Sequence, residues 1–443
     1  MSRKLRWSKY NFTFDSEKHG VFIYNSLTNS LMTADPEFAT HLPEIMKNPD
    51  SFDFSQWFQP LSEMLKNRVL LTQEDEDDFM ITMKFRKTAS RFDSSTMGLT
   101  LLVTEKCNFK CPYCFEKIND PADMSDEVID GLIRFIETFM PLKSIFITWF
   151  GGEPLLRPDI IRKVNQRIMD LGVKVSSLIV TNGWLLNDQV IDMLDELNAT
   201  AIQVTIEGPP EIHNQTRIHK SRGDSFHVIQ QNLDRLMLER KWKGSLIIHY
   251  NIDDYNADHY AETIEYWKNR YPDGRVLTGK NFVDRDKRGS RDGSCSFSRE
   301  REIEYYLTQY RKNGGMGLSY YPVRHGFGCI ATKRNGFVIG ARGQVYKCWH
   351  DVGVEDRQIG SVFTPPQKWN WSIISRYMSG VDPFDNPECR ECFLLPVCED
   401  CPHIWYRKKY MGQDVSLCAR YRENLARFLE IHYERKQVEE GKC

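Results

Sequence analysis

The sequence predicts an α/β protein whose central part is a parallel sheet curled into a partial (β/α)6 barrel. Between residues 98 and 285, short apolar runs rich in β-branched residues alternate with segments of helical period, and six such units follow one another. Strands that alternate with helices are joined by crossovers, so they run parallel in one sheet. The 443 residues are enough for about three domains at roughly 150 residues each.

The elements of the barrel can be placed in order along the chain. The expected strands lie at 99–103, 145–149, 173–180, 201–206, 246–248 and 275–283. The expected helices lie at 128–136, 158–170, 187–197, 226–240 and 257–269. In a TIM-like barrel of this kind, the reactive groups lie at the C-terminal ends of the strands.

The segment before the barrel indicates a small α+β domain. A hairpin is expected at 21–33, and helical spacing follows near 36–47 and 55–67. We interpret the acidic run at 74–78 as a solvated face or a domain boundary.

The segment after the barrel loses regular patterning beyond about residue 290, and a polar helix is expected near 415–435. An irregular Cys-rich C-terminal domain needs another source of stability, which metal ligation supplies. The predicted domains are therefore an N-terminal domain at 1–90, the barrel at 98–285, a bridging region at 286–325 and a Cys-rich domain at 326–443.

Composition excludes several classes of protein. Lys and Arg total 59 against 61 Asp and Glu, so the net charge of -2 gives no electrostatic reason to expect a nucleic acid or an anionic membrane as partner. No apolar run approaches the roughly 18 residues of a membrane span, and no apolar segment of a secretory signal follows the basic start. We expect a soluble cytoplasmic protein. Its twelve cysteines are too dilute for a disulfide scaffold, so their clusters indicate metal binding or catalysis.

The first cysteine cluster follows the first barrel strand directly. Cys107, Cys111 and Cys114 form C-x3-C-x2-C, and the next cysteine is Cys295. Three thiolates can hold three irons of a [4Fe–4S] cluster and leave the fourth iron open to another ligand. Zinc usually takes four protein ligands, or three and a water. A cluster that binds a further molecule is favoured, and a zinc loop or a chance triplet is the alternative.

A second motif, Gly151-Gly152-Glu153-Pro154, comes directly after the second barrel strand. Two glycines let the backbone approach a ligand closely, and the Glu153 carboxylate can accept a hydrogen bond from an ammonium group. An ordinary turn is the alternative for this motif taken alone.

These motifs resemble those of the radical S-adenosylmethionine (radical SAM) superfamily, in which C-x3-C-x2-C carries an aromatic residue before the last cysteine. Tyr113 fills that position. The resemblance implies that SAM chelates the open iron through its amino and carboxylate groups. Reductive cleavage then yields methionine and a 5′-deoxyadenosyl radical that abstracts hydrogen from a substrate. The GGEP segment holds the SAM amino group in this family.

Further positions extend the resemblance. The run from 204 to 217 is similar to the family's V-S-x-D-G followed by H and R, with Thr205 in place of Ser and Glu207 in place of Asp. The resemblance implies that Arg217 binds the SAM carboxylate with its forked donors. Asn182, at the end of the third strand, can reach the ribose or merely form an Asn-Gly turn. His213 is interpreted as structural rather than as a base.

The second cysteine group resembles the SPASM extension of radical SAM enzymes. It runs C-x13-G-x4-C and then C-x2-C-x5-C-x2-C before a last cysteine, with x2 where the family has x3. The resemblance implies two auxiliary [4Fe–4S] clusters. The distal cluster would use Cys389, Cys392, Cys398 and Cys418, and the proximal cluster would use Cys329, Cys348 and Cys401. The proximal cluster has an open iron unless Cys295 is its fourth ligand. A zinc ribbon at residues 389–401 would leave three of these cysteines unexplained.

The combination resembles enzymes that modify ribosomally made peptides, with a thioether or C–C crosslink favoured as the product. The expected cofactors are three [4Fe–4S] clusters and SAM, and the expected partners are a precursor peptide with a leader and an electron donor such as flavodoxin or ferredoxin. The N-terminal segment resembles a small winged-helix-like domain that recognises leaders, and a structural cap is equally open. The alternatives are oxidation of a protein Cys or Ser, a small metabolite as substrate, an iron–sulfur electron carrier, or a zinc-stabilised interaction protein.

Overall fold

The computed structural model describes residues 4–114, 116, 118, 120–283, 299–313, 321–324, 328–398, 401–418 and 421–441. The chain forms two compact units. Unit 1 comprises residues 1–92, 303–329 and 380–443, and unit 2 comprises residues 93–302 and 330–379. None of the described helices is long and apolar enough to cross a bilayer.

The strands and helices are numbered in chain order. The strands of the described residues are β1 Leu5–Trp7, β2 Asn11–Ser16, β3 Gly20–Asn25, β4 Ser30–Thr33, β5 Leu70–Thr72, β6 Thr96–Thr104, β7 Ser144–Gly151, β8 Lys174–Thr181, β9 Ala199–Thr205, β10 Ser245–Ile252, β11 Val276–Phe282, β12 Gly336–Ile339, β13 Gln344–Tyr346 and β14 Gly360–Ser361. The helices are α1 Pro36–Ala39, α2 Leu42–Lys47, α3 Phe58–Lys66, α4 Gln73–Phe92, α5 Asp126–Glu137, α6 Pro158–Met169, α7 Asp188–Met193, α8 Pro210–Thr216, α9 Ser225–Asp234, α10 Tyr260–Arg270, α11 Arg299–Asn313, α12 Trp371–Ser375, α13 Pro387–Arg390, α14 Pro402–Met411 and α15 Leu425–Glu439.

Unit 2 contains a nine-stranded sheet with the order β11-β10-β9-β8-β7-β6-β12-β13-β14. The strands β6 to β11 are parallel neighbours in chain order, and each overlaps one of the six predicted strands. The predicted α/β class with a parallel central sheet is therefore confirmed. Because the strands are parallel neighbours, their C-terminal ends meet at one edge of the sheet.

Alternating burial along the strands separates the two faces of this sheet. In β10, Leu246, Ile248 and Tyr250 are completely buried, whereas His249 and Asn251 between them are partly exposed. Successive side chains of a strand point to opposite faces, so the buried set packs under the helices and the other set lies on the opposite face. Asn251 and His249 therefore share the face that carries the site described below.

The sheet continues past β6 into a segment for which the sequence predicted little regular structure. Strand β12 pairs in parallel with β6, and β13 and β14 continue the sheet in antiparallel pairing. Residues 330–379 of the predicted Cys-rich domain therefore belong to unit 2, whereas residues 380–443 belong to unit 1. The four predicted domain ranges stay a prediction.

Unit 1 contains the three-stranded antiparallel sheet β2-β3-β4 and the two-stranded sheet β1-β5. The predicted hairpin is present as β3 and β4, and the predicted C-terminal helix is present as α15, which begins later than expected. The acidic run at 74–78 is the start of helix α4, where acidic side chains are favoured by the helix dipole. Its member Glu76 is 2% exposed and accepts a 3.0 Å hydrogen bond from the Ser8 hydroxyl, so the run is not wholly a solvated face.

Candidate active site

The cysteine loop, residues 105–114, leaves the C-terminal end of β6 and is fastened to the chain that follows helix α8. The backbone N–H of Lys110 donates to the carbonyl of Ile218 over 2.8 Å, and the N–H of Lys220 donates to the carbonyl of Asn108 over 2.9 Å. Cys107, Cys111 and Cys114 are all partly buried, and none is in a disulfide. The three thiols are thus held at the edge of the sheet where the strands end.

The GGEP turn packs directly against the start of this loop. The N–H of Gly152 donates to the carbonyl of Thr104 over 3.1 Å, and the N–H of Glu153 donates to that of Lys106 over 2.8 Å. A Cβ at Gly151 would lie 2.2 Å from the Thr104 oxygen, and one at Gly152 would lie 2.3 Å from the Lys106 oxygen. Any side chain at these two positions would push the turn away from the cysteine loop. The glycines therefore serve the packing of the two loops.

Glu153 is 1% exposed and joins two strand ends. Its carboxylate accepts hydrogen bonds from the Thr181 hydroxyl at 2.6 Å, the Asn182 N–H at 2.7 Å and the Leu155 N–H at 3.0 Å. Burial raises the pKa of this carboxyl group, and the three donors oppose that shift. Pro154 begins a short 3-10 turn that follows. The Glu153 carboxylate, which we expected to accept a hydrogen bond from an ammonium group, thus already accepts three hydrogen bonds from the protein.

Asn182 and Thr205 lie at the ends of the next two strands. The Asn182 side chain is 4% exposed and donates from Nδ2 to Oδ1 of Asn108 over 2.7 Å, which ties the end of β8 to the cysteine loop. Thr205 ends β9 and lies beside His249 of β10 in the parallel register. Both predicted SAM-binding positions are therefore at the same edge as the thiols.

A chain of hydrogen bonds connects Tyr113 to three other polar side chains. The Tyr113 hydroxyl donates to Oε1 of Glu207 and accepts from Nη1 of Arg217 over 3.2 Å. Asn251 donates from Nδ2 to the same Glu207 oxygen over 2.9 Å. The guanidinium carbon of Arg217 lies 5.6 Å from the centroid of the Phe109 ring, which is also in the cysteine loop. Tyr113 and Arg217, both singled out from the sequence, are thus brought into contact.

His213 stabilises the backbone next to Glu207. It is completely buried, and its Nδ1 accepts a 3.3 Å hydrogen bond from the backbone N–H of Glu207. Burial lowers the pKa of His213 to about 3, and the positive charge of Arg217 acts in the same direction. A neutral imidazole that accepts from the backbone holds the turn after β9.

Burial also shifts the pKa values of the thiols in the first cysteine group. It raises the pKa of Cys107 to about 11 and that of Cys111 to about 12, and the positive charge of Arg217 partly opposes both shifts. Like-charge repulsion from Cys114 raises the pKa of both other thiols, and Cys107 also raises the pKa of Cys111, so the three thiols lie near one another. Bonding to iron removes this penalty because a metal ligand is bound as the thiolate.

The residues present fit an iron–sulfur cluster with SAM. The three thiols of the cysteine loop would each supply one ligand to an iron of the cluster. The Nε of Arg217 is buried and has no hydrogen-bond partner in the described part of the chain, so the carboxylate of a ligand would satisfy it. Among the described residues, no three His, Cys, Asp or Glu side chains lie close enough to share a single metal ion.

The second cysteine group lies mainly in unit 1. Burial, together with the neighbouring thiols of Cys392 and Cys418, raises the pKa of Cys389 to about 11. Nη1 of Arg422 donates to Sγ of Cys418 over 3.2 Å. Three members of the predicted distal set therefore lie near one another, and the fourth, Cys398, is in the same unit.

The cysteines of the predicted proximal cluster are divided between the two units. Cys329 and Cys401 are exposed and belong to unit 1, whereas Cys348 is buried and belongs to unit 2. Cys295 and Cys443 lie outside the described residues.

The sequence interpretation missed Asn108, Asn251 and His249. Asn251 binds Glu207, and the His249 Nε2 lies 3.4 Å from Nδ2 of Asn281 on β11. A signal was present, because polar residues that end a predicted strand at the edge with the reactive groups are candidates for the site.

Known proteins resemble part of this chain. Residues 101–266 match the model of the Radical SAM superfamily. The chain is 29% identical over 173 residues to a serine-type anaerobic sulfatase-maturating enzyme of Bacteroides thetaiotaomicron, covering 37% of this chain and 41% of that protein. It is 29% identical over 186 residues to GTP 3′,8-cyclase of Campylobacter jejuni subsp. doylei, covering 41% of this chain and 55% of that protein. The chain spans about half the length of these curated relatives.

Solved structures share the fold. Native anSMEcpe with bound AdoMet and Kp18Cys peptide has a TM-score of 0.58 at 18% identity and covers 79% of this chain and 100% of that chain. Streptococcus suis SuiB bound to S-adenosylmethionine has a TM-score of 0.51 at 14% identity and covers 93% of this chain and 99% of that chain. Identities this low show the fold alone.

The three thiols at the C-terminal edge of the parallel sheet, beside the buried Arg217, are suited to hold an iron–sulfur cluster with S-adenosylmethionine. The match over residues 101–266, which include the cysteine loop and the GGEP turn, confirms the radical SAM domain that the sequence motifs predict.

Proposed function

We propose that this radical SAM enzyme modifies a ribosomally made peptide. The observation that carries the proposal is the meeting of the cysteine loop, the GGEP turn and the Tyr113–Arg217 pair at one edge of the parallel sheet. Cys107, Cys111 and Cys114 would hold the catalytic cluster. When bound, the cluster and SAM together supply a radical able to abstract a hydrogen atom from a substrate.

The protein's own groups would orient SAM and keep water out. Arg217 would bind the SAM carboxylate with the donors that Tyr113 leaves free, and the backbone of Gly151, Gly152, Glu153 and Pro154 would receive the amino group. Thr205 and Asn182, both buried at strand ends, would contact the remainder of the cofactor. A site lined by buried groups excludes water from a reactive species.

A peptide substrate is supported by the solved structures and by unit 1. The anSMEcpe structure contains a Kp18Cys peptide, and a SuiB structure that covers 94% of this chain is bound to the precursor peptide SuiA. In unit 1, the outer strands β2 and β4 each pair only with β3 within the described residues. An extended leader would add to such an edge as a further strand, with pockets for alternate side chains. A thioether or a C–C crosslink is the favoured product.

Two auxiliary clusters complete the proposal. The distal cluster would use Cys389, Cys392, Cys398 and Cys418, three of which lie near one another. The proximal cluster would use Cys329, Cys348 and Cys401, with an open iron unless Cys295 completes it. Flavodoxin or ferredoxin would supply the electron.

The second candidate is oxidation of a Cys or Ser side chain of a protein. Serine-type and cysteine-type sulfatase-maturating enzymes are both among the relatives, at 29% and 26% identity. The GTP 3′,8-cyclase relatives leave a small metabolite as a third class of substrate.

The experiment is co-expression with each short open reading frame encoded beside the gene, followed by mass spectrometry of the peptides. A crosslink, or the oxidation of a Ser side chain to an aldehyde, is expected to remove the mass of two hydrogen atoms from one peptide, whereas the oxidation of a Cys side chain to an aldehyde also replaces sulfur by oxygen. Fragmentation separates a crosslink from a modified single residue. The Cys114→Ala variant is the control and should leave every peptide unchanged. Turnover of GTP, with no peptide altered by the wild-type protein, would contradict the proposal.

A further inference from the structure

We infer that Glu207 is a positioning residue, which holds Tyr113 and, through it, Arg217 in the geometry that receives S-adenosylmethionine. The inference rests on the proposed function, which places Tyr113 and Arg217 in the SAM site. Glu207 lies two residues after the end of β9, and its side chain contacts two distant parts of the chain.

The Glu207 side chain is 0% exposed and receives two donors at one oxygen. The Tyr113 hydroxyl and Nδ2 of Asn251 both donate to Oε1, the latter over 2.9 Å. These donors come from distant parts of the chain, since Tyr113 precedes Cys114 in the cysteine loop and Asn251 lies near the end of β10. Glu207 therefore ties the cysteine loop to the sheet.

Tyr113 connects Glu207 to Arg217 through a second hydrogen bond. The Tyr113 hydroxyl donates a hydrogen bond to Glu207, so its oxygen is left to accept the 3.2 Å hydrogen bond from Nη1 of Arg217. On another side the guanidinium lies over the ring of Phe109. Two aromatic residues of the cysteine loop thus fix the guanidinium, while its buried Nε has no partner in the described residues and remains available to a carboxylate.

The reach of residue 207 decides whether this chain of hydrogen bonds forms. Asp at this position would draw the carboxylate back by one C–C bond, about 1.5 Å, which is enough to break a hydrogen bond to Tyr113. Gln would keep the length and an accepting oxygen but not the charge. Glu207→Asp and Glu207→Gln therefore separate reach from charge.

The test compares four proteins, each reconstituted anaerobically with iron and sulfide: wild type, Glu207→Asp, Glu207→Gln and Tyr113→Phe. The dissociation constant for SAM is measured by equilibrium dialysis, and the EPR spectrum of the reduced protein is recorded with and without SAM. The Asp and Phe variants are expected to bind SAM about tenfold more weakly, and the Gln variant within about threefold of wild type. The SAM-induced change in the EPR spectrum should be reduced in the Asp and Phe variants and kept in the Gln variant.

Two controls keep the result specific. Glu265→Asp makes the same change on the exposed face of α10 and should leave the SAM affinity unaltered. The double variant Tyr113→Phe with Glu207→Asp should bind no more weakly than the weaker single variant, because both remove one hydrogen bond. The iron content of every variant is measured. If Glu207→Asp loses its cluster, the SAM affinity of Tyr113→Phe tests the inference in its place.

An Asp or Phe variant that binds SAM as wild type does would overturn the inference. A Gln variant as weak as the Asp variant would also overturn it, since charge and not reach would then be responsible. Wild-type protein that neither binds nor cleaves SAM would instead contradict the proposed function, so the two failures are distinguishable.

Discussion

The carboxylate of Glu153 accepts a 2.7 Å hydrogen bond from the backbone N–H of Asn182, and this contact joins the turn after β7 to the end of β8. The same carboxylate binds the Thr181 hydroxyl, and Asn182 reaches on to Asn108 in the cysteine loop. Two strand ends and the cysteine loop are thereby held in one network.

Replacement of Glu153 tests that network. In Glu153→Gln an amide N–H₂ must face at least one of the present donors, so a buried hydrogen bond is lost and a donor is left unsatisfied. We expect the protein to be destabilised by about 1–3 kcal/mol. Urea unfolding monitored by circular dichroism measures the change. Glu137→Gln, on the exposed end of α5, is the matched control, and equal stability of the two variants would contradict the role of Glu153.

The cysteine loop makes a prediction about iron and about SAM. Ala at Cys107, Cys111 or Cys114 leaves the catalytic cluster short of a ligand, so the production of 5′-deoxyadenosine with dithionite and SAM should be abolished. If all three clusters are present in the wild type, the iron content should fall from about 12 to about 8 per chain, since the auxiliary ligands lie elsewhere in the sequence. Residual 5′-deoxyadenosine from any of these variants would refute the ligand assignment.

The Gly-Gly turn is expected to tolerate no side chain at its second position. In Gly152→Ala the new Cβ would meet the Lys106 backbone oxygen at 2.3 Å, and backbone cannot move aside as a flexible side chain can. We expect the rate of SAM cleavage to fall by tenfold or more and stability to fall by about 1–3 kcal/mol. Gly223→Ala is the control because a Cβ there has no heavy atom within 4 Å. A fully active Gly152→Ala protein would show that the two loops need not touch.

A buried acid in unit 2 predicts how stability depends on pH. Asp351 is 2% exposed, and burial raises its pKa to about 6, although the Tyr377 hydroxyl donates to it over 2.8 Å and the positive charge of Arg357 opposes the shift. The ordinary pKa of Asp is about 3.9, so the folded state holds the proton more tightly than the unfolded state. The contribution of Asp351 to stability should therefore be lost as pH rises from about 4 to about 6.

Asp351→Asn separates this effect from other titrations. Asn stays neutral and keeps an oxygen for Tyr377, so the variant should be more stable than wild type at pH 7.5, by on the order of 1–3 kcal/mol, and should show no gain at pH 4. Urea unfolding at the two pH values measures the difference. A gain of equal size at both pH values would rule out titration of Asp351 as its cause.

Much of the barrel was predictable because its signals are local. Each strand of the parallel sheet is a short run rich in apolar and β-branched residues, and the helical period between strands can be read from neighbouring residues. The spacing of Cys107, Cys111 and Cys114 after β6 and the pair of glycines at the end of β7 were equally predictable, since reactive groups are expected at the edge where parallel strands end.

The sequence by itself thus determined the six parallel strands of the barrel and the two loops that carry the motifs. Only the tertiary structure decided that Asn251 and Tyr113 meet at Glu207, and that β12 pairs with β6 through Gly336 and Gly98. The reason is physical: periodicity and spacing report on residues that are near in sequence, whereas these contacts join residues far apart in the chain. Which distant partners meet depends on how the whole sheet curls and packs, and no single segment encodes that.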